Sequence, residues 1–122
     1  MRRVWLASLL MVLVPLGSAT AGERFACNMG ALTKSERAQH ATLGRRLFAA
    51  IQERRELGNG YAFKLPPGEM TTAARWIAFE HRCCPFFTFE LALARDDGPL
   101  WVRITGTTGV KEFIREEFQL DP

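Results

Sequence analysis

The chain has 122 residues and a formal net charge of +3, which suits one domain with a modest basic excess. That excess does not indicate a nucleic-acid partner, because a nucleic-acid footprint needs basic residues gathered on one face. The three cysteines are Cys27, Cys83 and Cys84. An odd number argues against a fully paired disulfide scaffold and leaves a free thiol, an intermolecular bond or a metal site.

The first 21 residues have the layout of a secretory signal peptide. Two arginines follow Met1, residues 4–16 are almost entirely apolar, and Ala19-Thr20-Ala21 supplies a small-x-small cleavage pattern. The apolar run is shorter than the about 20 residues of a membrane span, so we expect cleavage rather than an uncleaved anchor. Residues 22–122 would remain as one domain of charge +1, periplasmic or secreted and without a stable membrane span.

Three helices are predicted after this segment. Thr33 to Glu36 matches a capping box, which predicts a helix from there to about Leu57, ended by the glycines and asparagine of 58–60. A second helix is predicted from about Glu69 to Cys83, and a last one from about Val110 to Phe118. The second helix should stop at the cysteines, because Pro85 lacks a backbone N–H and biases Cys84 away from the helical region.

Alternation of apolar and polar residues predicts three strands, over residues 61–65, 86–95 and 100–105. Residues 96–99 connect the last two strands as a hairpin. The order of helix, strand, helix, strand, strand, helix is an α+β pattern similar to part of a split βαβ unit. We therefore expect a three-stranded antiparallel sheet with the third strand between the other two and with helices packed on one face.

The adjacent cysteines are the main chemical signal. Glu80 precedes Cys83 and Cys84 by three and four residues, so all three side chains share one face of a helix. Thiolates bind soft ions such as Zn(II) or Cu(I), and the negative end of a helix dipole favours a cation over an activated thiolate. We predict a metal site in which Cys83 and Cys84 are joined by Cys27 from the segment before the first helix. Glu80 or His81 would complete the ligands.

Two other interpretations of the cysteines stay open. A disulfide from Cys27 to either partner is geometrically free, and it would suit a thiol–disulfide redox protein in an oxidising compartment. A Cys83–Cys84 bond would be strained, because adjacent Cα atoms are about 3.8 Å apart and disulfides usually need about 4.4–6.8 Å. In the third interpretation the domain is a non-enzymatic interaction module with structural cysteines.

The remaining candidates carry less chemistry. No acid pair has a spacing that is typical of acid–base catalysis, so the sequence favours a protein that is not an enzyme. His40 follows the apolar face of the first helix and is interpreted as a boundary residue rather than a ligand. If both sheet faces were apolar, Phe86 and Trp101 could form a homodimer contact or a pocket beside the thiols.

The stretch Glu80-His81-Arg82-Cys83-Cys84-Pro85-Phe86-Phe87, with Gly109-Val110-Lys111-Glu112-Phe113 further on, resembles a family of small, functionally uncharacterised bacterial proteins with a Cys-Cys-Pro-Phe core. The resemblance runs from about Cys27 to the C-terminal helix. It implies no established reaction and indicates the glutamate and the cysteines as the residues to test.

Sulfur positions distinguish these interpretations. A separation of about 2 Å means a disulfide, and about 3.5–4 Å fits shared tetrahedral ligation at Zn–S bonds of about 2.3 Å. Cys27 lying beyond about 7 Å from the other two sulfurs would exclude a three-thiol site.

Overall fold

The structure is a computed structural model that describes residues 12–17 and 25–121. Residues 12–17 have no regular secondary structure, and their side chains are exposed. The predicted cleavage point after Ala21 lies outside the described residues. In the described part of the chain, no helix combines the length and the apolar character needed to cross a membrane.

The described domain contains three α-helices and a four-stranded sheet. The elements in chain order are α1 Lys34–Ala49, β1 Glu53–Leu57, β2 Gly60–Leu65, α2 Met70–Cys83, β3 Thr88–Leu93, β4 Leu100–Thr105 and α3 Val110–Glu117. All neighbouring strands are antiparallel, in the order β1-β2-β4-β3. The α+β class is confirmed, and β4 lies between β2 and β3 as expected. The prediction of three strands was wrong, because the sheet has four.

The additional strand is β1, which occupies residues predicted to end the first helix. α1 ends at Ala49, and residues 53–57 pair with β2 instead. The glycine and asparagine at 58–59 form the two-residue turn between these strands rather than a helix cap. Glutamate and arginine are good helix formers, so local propensity favoured a helix here. Pairing with β2 overrides that propensity. A cation–π contact also holds β1 to the sheet, because the Arg55 guanidinium lies 4.3 Å from the centre of the Trp101 ring.

One face of the sheet carries the core. The rows that cross β2, β4 and β3 on this face are Leu65–Leu100–Leu93, Phe63–Val102–Leu91 and Tyr61–Ile104–Phe89. Helix aromatics cover these rows: Phe48 of α1 contacts Phe63, and Trp76 of α2 contacts Phe89, with ring centroids 6.2 and 6.1 Å apart. Residues with the opposite alternation, such as Glu90 and Arg103, are exposed, so the helices pack on the apolar side.

A short arm, residues 25–33, precedes α1 and crosses the C-terminal end of α2. The backbone N–H of Asn28 donates to the Cys83 carbonyl at 2.7 Å. The Arg82 guanidinium donates to the Ala31 carbonyl at 2.9 Å and to both Glu36 carboxylate oxygens at 2.8 and 3.2 Å. The arm therefore satisfies a backbone carbonyl that the end of α2 would otherwise leave without a partner.

Candidate functional site

The end of α2 positions three of the predicted site residues. α2 ends at Cys83, and Cys84 is its C-cap, with non-helical backbone angles of φ −125° and ψ 68°. The N–H of Cys84 donates to the Glu80 carbonyl at 2.7 Å. The sulfur of Cys84 lies 3.4 Å from Oε1 of Glu80, and that of Cys83 lies 3.9 Å from Oε2. All three residues are buried. The helical spacing therefore brings these side chains together as predicted.

Cys27 of the arm forms a disulfide with Cys84. Their Cα atoms are 4.6 Å apart, inside the usual disulfide range of about 4.4–6.8 Å. Cys83 is a free thiol, and its sulfur lies 3.8 Å from that of Cys84. Of the two unstrained pairings left open by the sequence, the structure thus has the one between Cys27 and Cys84, and the strained bond between adjacent residues does not form.

His40 joins the site from α1. Its Nε2 is hydrogen-bonded to Oε2 of Glu80, and its ring stacks on Trp76 with centroids 6.0 Å apart. This bond links the two packed helices through a carboxylate that is 3 % exposed. Burial raises the pKa of Glu80, and the His40 hydrogen bond opposes that shift. The interpretation of His40 as a boundary residue missed this contact.

Two overlapping groups of side chains could hold a metal ion. In each group one ligand atom per residue lies within 4.8 Å of the others. The groups are Cys27, Glu80 and Cys84, which could bind an ion only after the disulfide is reduced, and His40, Glu80 and Cys83. Glu80 belongs to both. Of the predicted ligands, His81 is exposed and falls in neither group, and the histidine beside Glu80 is His40.

The free thiol of Cys83 is protonated at neutral pH. Burial, reinforced by the nearby Glu80 charge, raises the pKa of Cys83 to about 11. The hydrogen of this thiol is within reach of the Phe79 and Glu80 carbonyls, each 3.5 Å from the sulfur. Cys83 is therefore not an activated nucleophile, in keeping with its place at the negative end of a helix dipole.

An open cavity of about 200 Å³ borders the site. Its lining includes Cys27, His40, Trp76, Glu80, Cys84 and Glu117. A larger groove of about 410 Å³ also borders Cys27, and its lining includes Glu116 and Glu117 of α3. Small molecules and ions in these openings would therefore meet the disulfide, a buried carboxylate and two acidic residues.

Comparison with protein-family models, with curated proteins and with solved structures finds no similar protein. The resemblance to a Cys-Cys-Pro-Phe family stays a prediction.

Proposed function

We propose that this protein binds a soft metal ion, Zn(II) or Cu(I), through Cys27, Glu80 and Cys84 when the Cys27–Cys84 disulfide is reduced. The observation that carries the proposal is the close approach of one ligand atom from each of these residues, all within 4.8 Å of one another. Atoms at that separation can share an ion at metal–ligand distances of about 2.0–2.3 Å after small side-chain adjustments.

The donor chemistry fits a soft or borderline ion. Two thiolates and a carboxylate are ligands that zinc accepts, and the thiolates suit Cu(I). Cys83 offers a fourth donor, because its sulfur is 3.8 Å from that of Cys84 and 3.9 Å from Oε2 of Glu80. His40 would fix the orientation of the Glu80 carboxylate by hydrogen bonding, as partners of metal ligands commonly do.

The disulfide makes binding depend on redox state. Sulfur atoms joined at about 2 Å are not thiolates and leave no space for an ion between them. Tetrahedral ligation places two sulfurs about 3.5–4 Å apart, so the same pair of cysteines serves either as a disulfide or as metal ligands. Reduction would therefore create the site, and oxidation would release the ion.

The proposal places the domain outside the cytoplasm after cleavage at Ala21. The signal-like pattern of the first 21 residues supports this location, and so does the disulfide, because disulfides persist mainly in oxidising compartments. Intact mass of the protein recovered from a periplasmic fraction tests it. A mass that begins at residue 22 is expected, and a cytoplasmic, full-length chain would contradict it.

Metal titration of cysteine variants tests the ligand assignment. We expect the reduced protein to take up one Zn(II) or Cu(I), measured by competition with a chromophoric chelator. Cys84→Ser and Cys27→Ser should each weaken binding at least tenfold, because each removes a thiolate. His81→Ala is the matched control, since this exposed histidine lies outside both ligand groups. Equal affinity in all four proteins would contradict the proposal.

A second candidate is thiol–disulfide redox chemistry without a metal. It is favoured by one observation, the disulfide that already joins Cys27 to the end of α2. A redox titration of the protein would give a reversible midpoint in this case, with metal binding absent.

If the cysteines are instead structural, folding would depend on the disulfide and neither metal nor redox partners would be found.

A further inference from the structure

We propose that the Cys27–Cys84 disulfide exchanges with a low-molecular-weight thiol that enters through the cavity beside Glu80 and attacks Cys27, with positively charged aminothiols preferred. The inference deepens the proposed function, because it names the class of molecule that would open the metal site.

The solvent exposure of the cysteines indicates which sulfur is attacked. Cys27 is partly exposed and borders both the cavity and the neighbouring groove, whereas Cys84 is 1 % exposed and borders the cavity only. Cys83 is 0 % exposed. An incoming thiolate therefore meets the sulfur of Cys27 first, and the buried sulfur of Cys84 is the leaving group.

The cavity limits the size of a thiol that attacks through it. At about 200 Å³ it is smaller than the about 300–1,000 Å³ of a typical drug-sized pocket, so it suits a thiol of only a few heavy atoms. Its lining includes Trp76 and the Glu80–His40 pair. Gly44 lines the same cavity, and a Cβ there would lie 3.2 Å from Nε1 of Trp76, so larger residues at this position would narrow the opening.

The acidic side chains of the two openings favour small thiols that carry a positive charge. Glu117 lines both openings and Glu116 lines the groove, whereas Glu80, which also lines the cavity, is paired with His40. No lysine or arginine lines either opening among the described residues. A field of one sign raises the local concentration of small molecules of the opposite charge. An aminothiol such as cysteamine should therefore react faster than neutral mercaptoethanol, and mercaptoacetate should react slowest.

The exchange has two balanced steps. In the first step the small thiol loses its proton to solvent, and its sulfur forms a bond to the sulfur of Cys27. The Cys27–Cys84 bond breaks at the same time, and its electron pair stays on the sulfur of Cys84. The Cys84 thiolate then takes up a proton from solvent. A second small thiol attacks the small molecule's sulfur in the mixed disulfide and releases the Cys27 thiol. Two small thiols are oxidised to one small disulfide, and the protein disulfide is reduced to two thiols.

Mass mapping and exchange rates test the proposal on the folded, metal-free protein. The three thiols are each added in excess, and each rate is divided by that thiol's rate with a small reference disulfide to remove intrinsic reactivity. We expect the mixed disulfide on Cys27 when the disulfide-bonded wild type is quenched with acid during its reaction with cysteamine and mapped by mass. We also expect a normalised preference for cysteamine over mercaptoacetate of roughly tenfold at low salt, which falls as salt is added.

Variants of α3 separate local charge from overall charge. Glu117→Gln should reduce the preference for cysteamine, because it removes a carboxylate from the cavity. Glu112→Gln, which removes the same charge elsewhere on α3, should leave the preference unchanged. A mixed disulfide on Cys84, equal normalised rates, or reduction only by a protein thiol would overturn the proposal. A failed metal titration of phosphine-reduced protein would leave these rates unaffected, so the two proposals fail separately.

Discussion

Glu80 organises the site at the scale of single residues. Its two carboxylate oxygens contact different groups, Oε1 the Cys84 sulfur and Oε2 the His40 ring and the Cys83 sulfur. A carboxylate that is 3 % exposed is costly unless it is paired and hydrogen-bonded. The His40 contact supplies that pairing from a neighbouring helix, so it should stabilise the fold as well as orient a ligand.

Removing the partner of this carboxylate should be strongly destabilising. We expect His40→Ala to lower the free energy of unfolding by about 3 kcal/mol, because it leaves a buried charge without its partner. Adding Glu80→Gln to that variant should recover part of the loss. Urea denaturation of the single and double variants measures both effects. His81→Ala is the control, with a change within about 0.5 kcal/mol, and a loss below about 1 kcal/mol for His40→Ala would contradict the account.

The buried thiol of Cys83 should make stability fall at alkaline pH. Its pKa rises from an ordinary value of 9.0 to about 11 in the folded protein. Between these values the unfolded chain has lost this proton and the folded chain has kept it, so the free energy of unfolding declines as pH rises from 9 to 11. Denaturation of the wild type and of Cys83→Ala across this range should show a shallower decline in the variant. If the free energies of unfolding of the two proteins declined in parallel, the thiol would be less buried than the structure shows.

At the scale of elements, α1 and α2 are tied together by their ends. The Thr33 hydroxyl accepts from the Glu36 N–H at 3.2 Å, and the Glu36 carboxylate accepts from the Thr33 N–H at 2.8 Å. The same carboxylate receives two hydrogen bonds from Arg82 at the end of α2. A capping box at the start of α1 thus also holds the helix end that carries the cysteines.

Acid should weaken this connection. The Arg82 hydrogen bond, with that of the Thr33 backbone, lowers the pKa of Glu36 from 4.5 to about 2. A lowered pKa contributes stability above pH 4.5, and that stability is lost as pH falls towards 2. Glu36→Gln keeps the length of the side chain without its charge, so its stability should decline less than that of the wild type over this range. Identical acid denaturation curves would show that the bond adds nothing in solution.

Local signals in the sequence were sufficient for most elements. The capping box at Thr33 and the stop before Pro85 are confirmed, because caps and prolines act on adjacent backbone. The predicted hairpin at residues 96–99 is present, with both Asp96 and Asp97 at positive φ, as in the primed turns that suit antiparallel strands. Each of these features depends on residues close together in the chain.

Features that depend on distant partners were missed. β1 is a strand because β2 offers it a pairing edge, although its residues favour a helix. His40 meets Glu80 because α1 packs against α2, forty residues away in the chain. The predicted meeting of Glu80, Cys83 and Cys84 needed only helical spacing. Which cysteine would bond to Cys27 needed the path of the arm over the end of α2.

For the whole molecule, the disulfide closes a loop with a sequence separation of 57. Chain entropy alone predicts about 4 kcal/mol for a loop of this length. The arm also forms hydrogen bonds to α2 that do not involve the cysteine sulfurs. We therefore expect the reduced protein to stay folded, with a loss of about 2–4 kcal/mol. Thermal melts with and without a phosphine reductant measure this. An unchanged melting temperature would mean that the disulfide does not constrain the chain.

A bound ion should restore part of that stability in the reduced form. A ligand that binds only the folded state, at a free concentration of a hundred times its dissociation constant, adds about 2.7 kcal/mol to the free energy of unfolding. In the disulfide form two of the three proposed ligands are already bonded to each other, and only the group of His40, Glu80 and Cys83, with a single thiol, remains. The same ion should therefore add much less stability to the disulfide form.

The most direct measurement is therefore the Zn(II) affinity of one protein sample in its two redox states, by chelator competition on the disulfide form and on the phosphine-reduced form. We expect stoichiometric binding by the reduced protein and at least hundredfold weaker binding by the disulfide form, since oxidation removes two thiolate ligands. Equal affinities, or no binding by the reduced protein, would contradict the proposal.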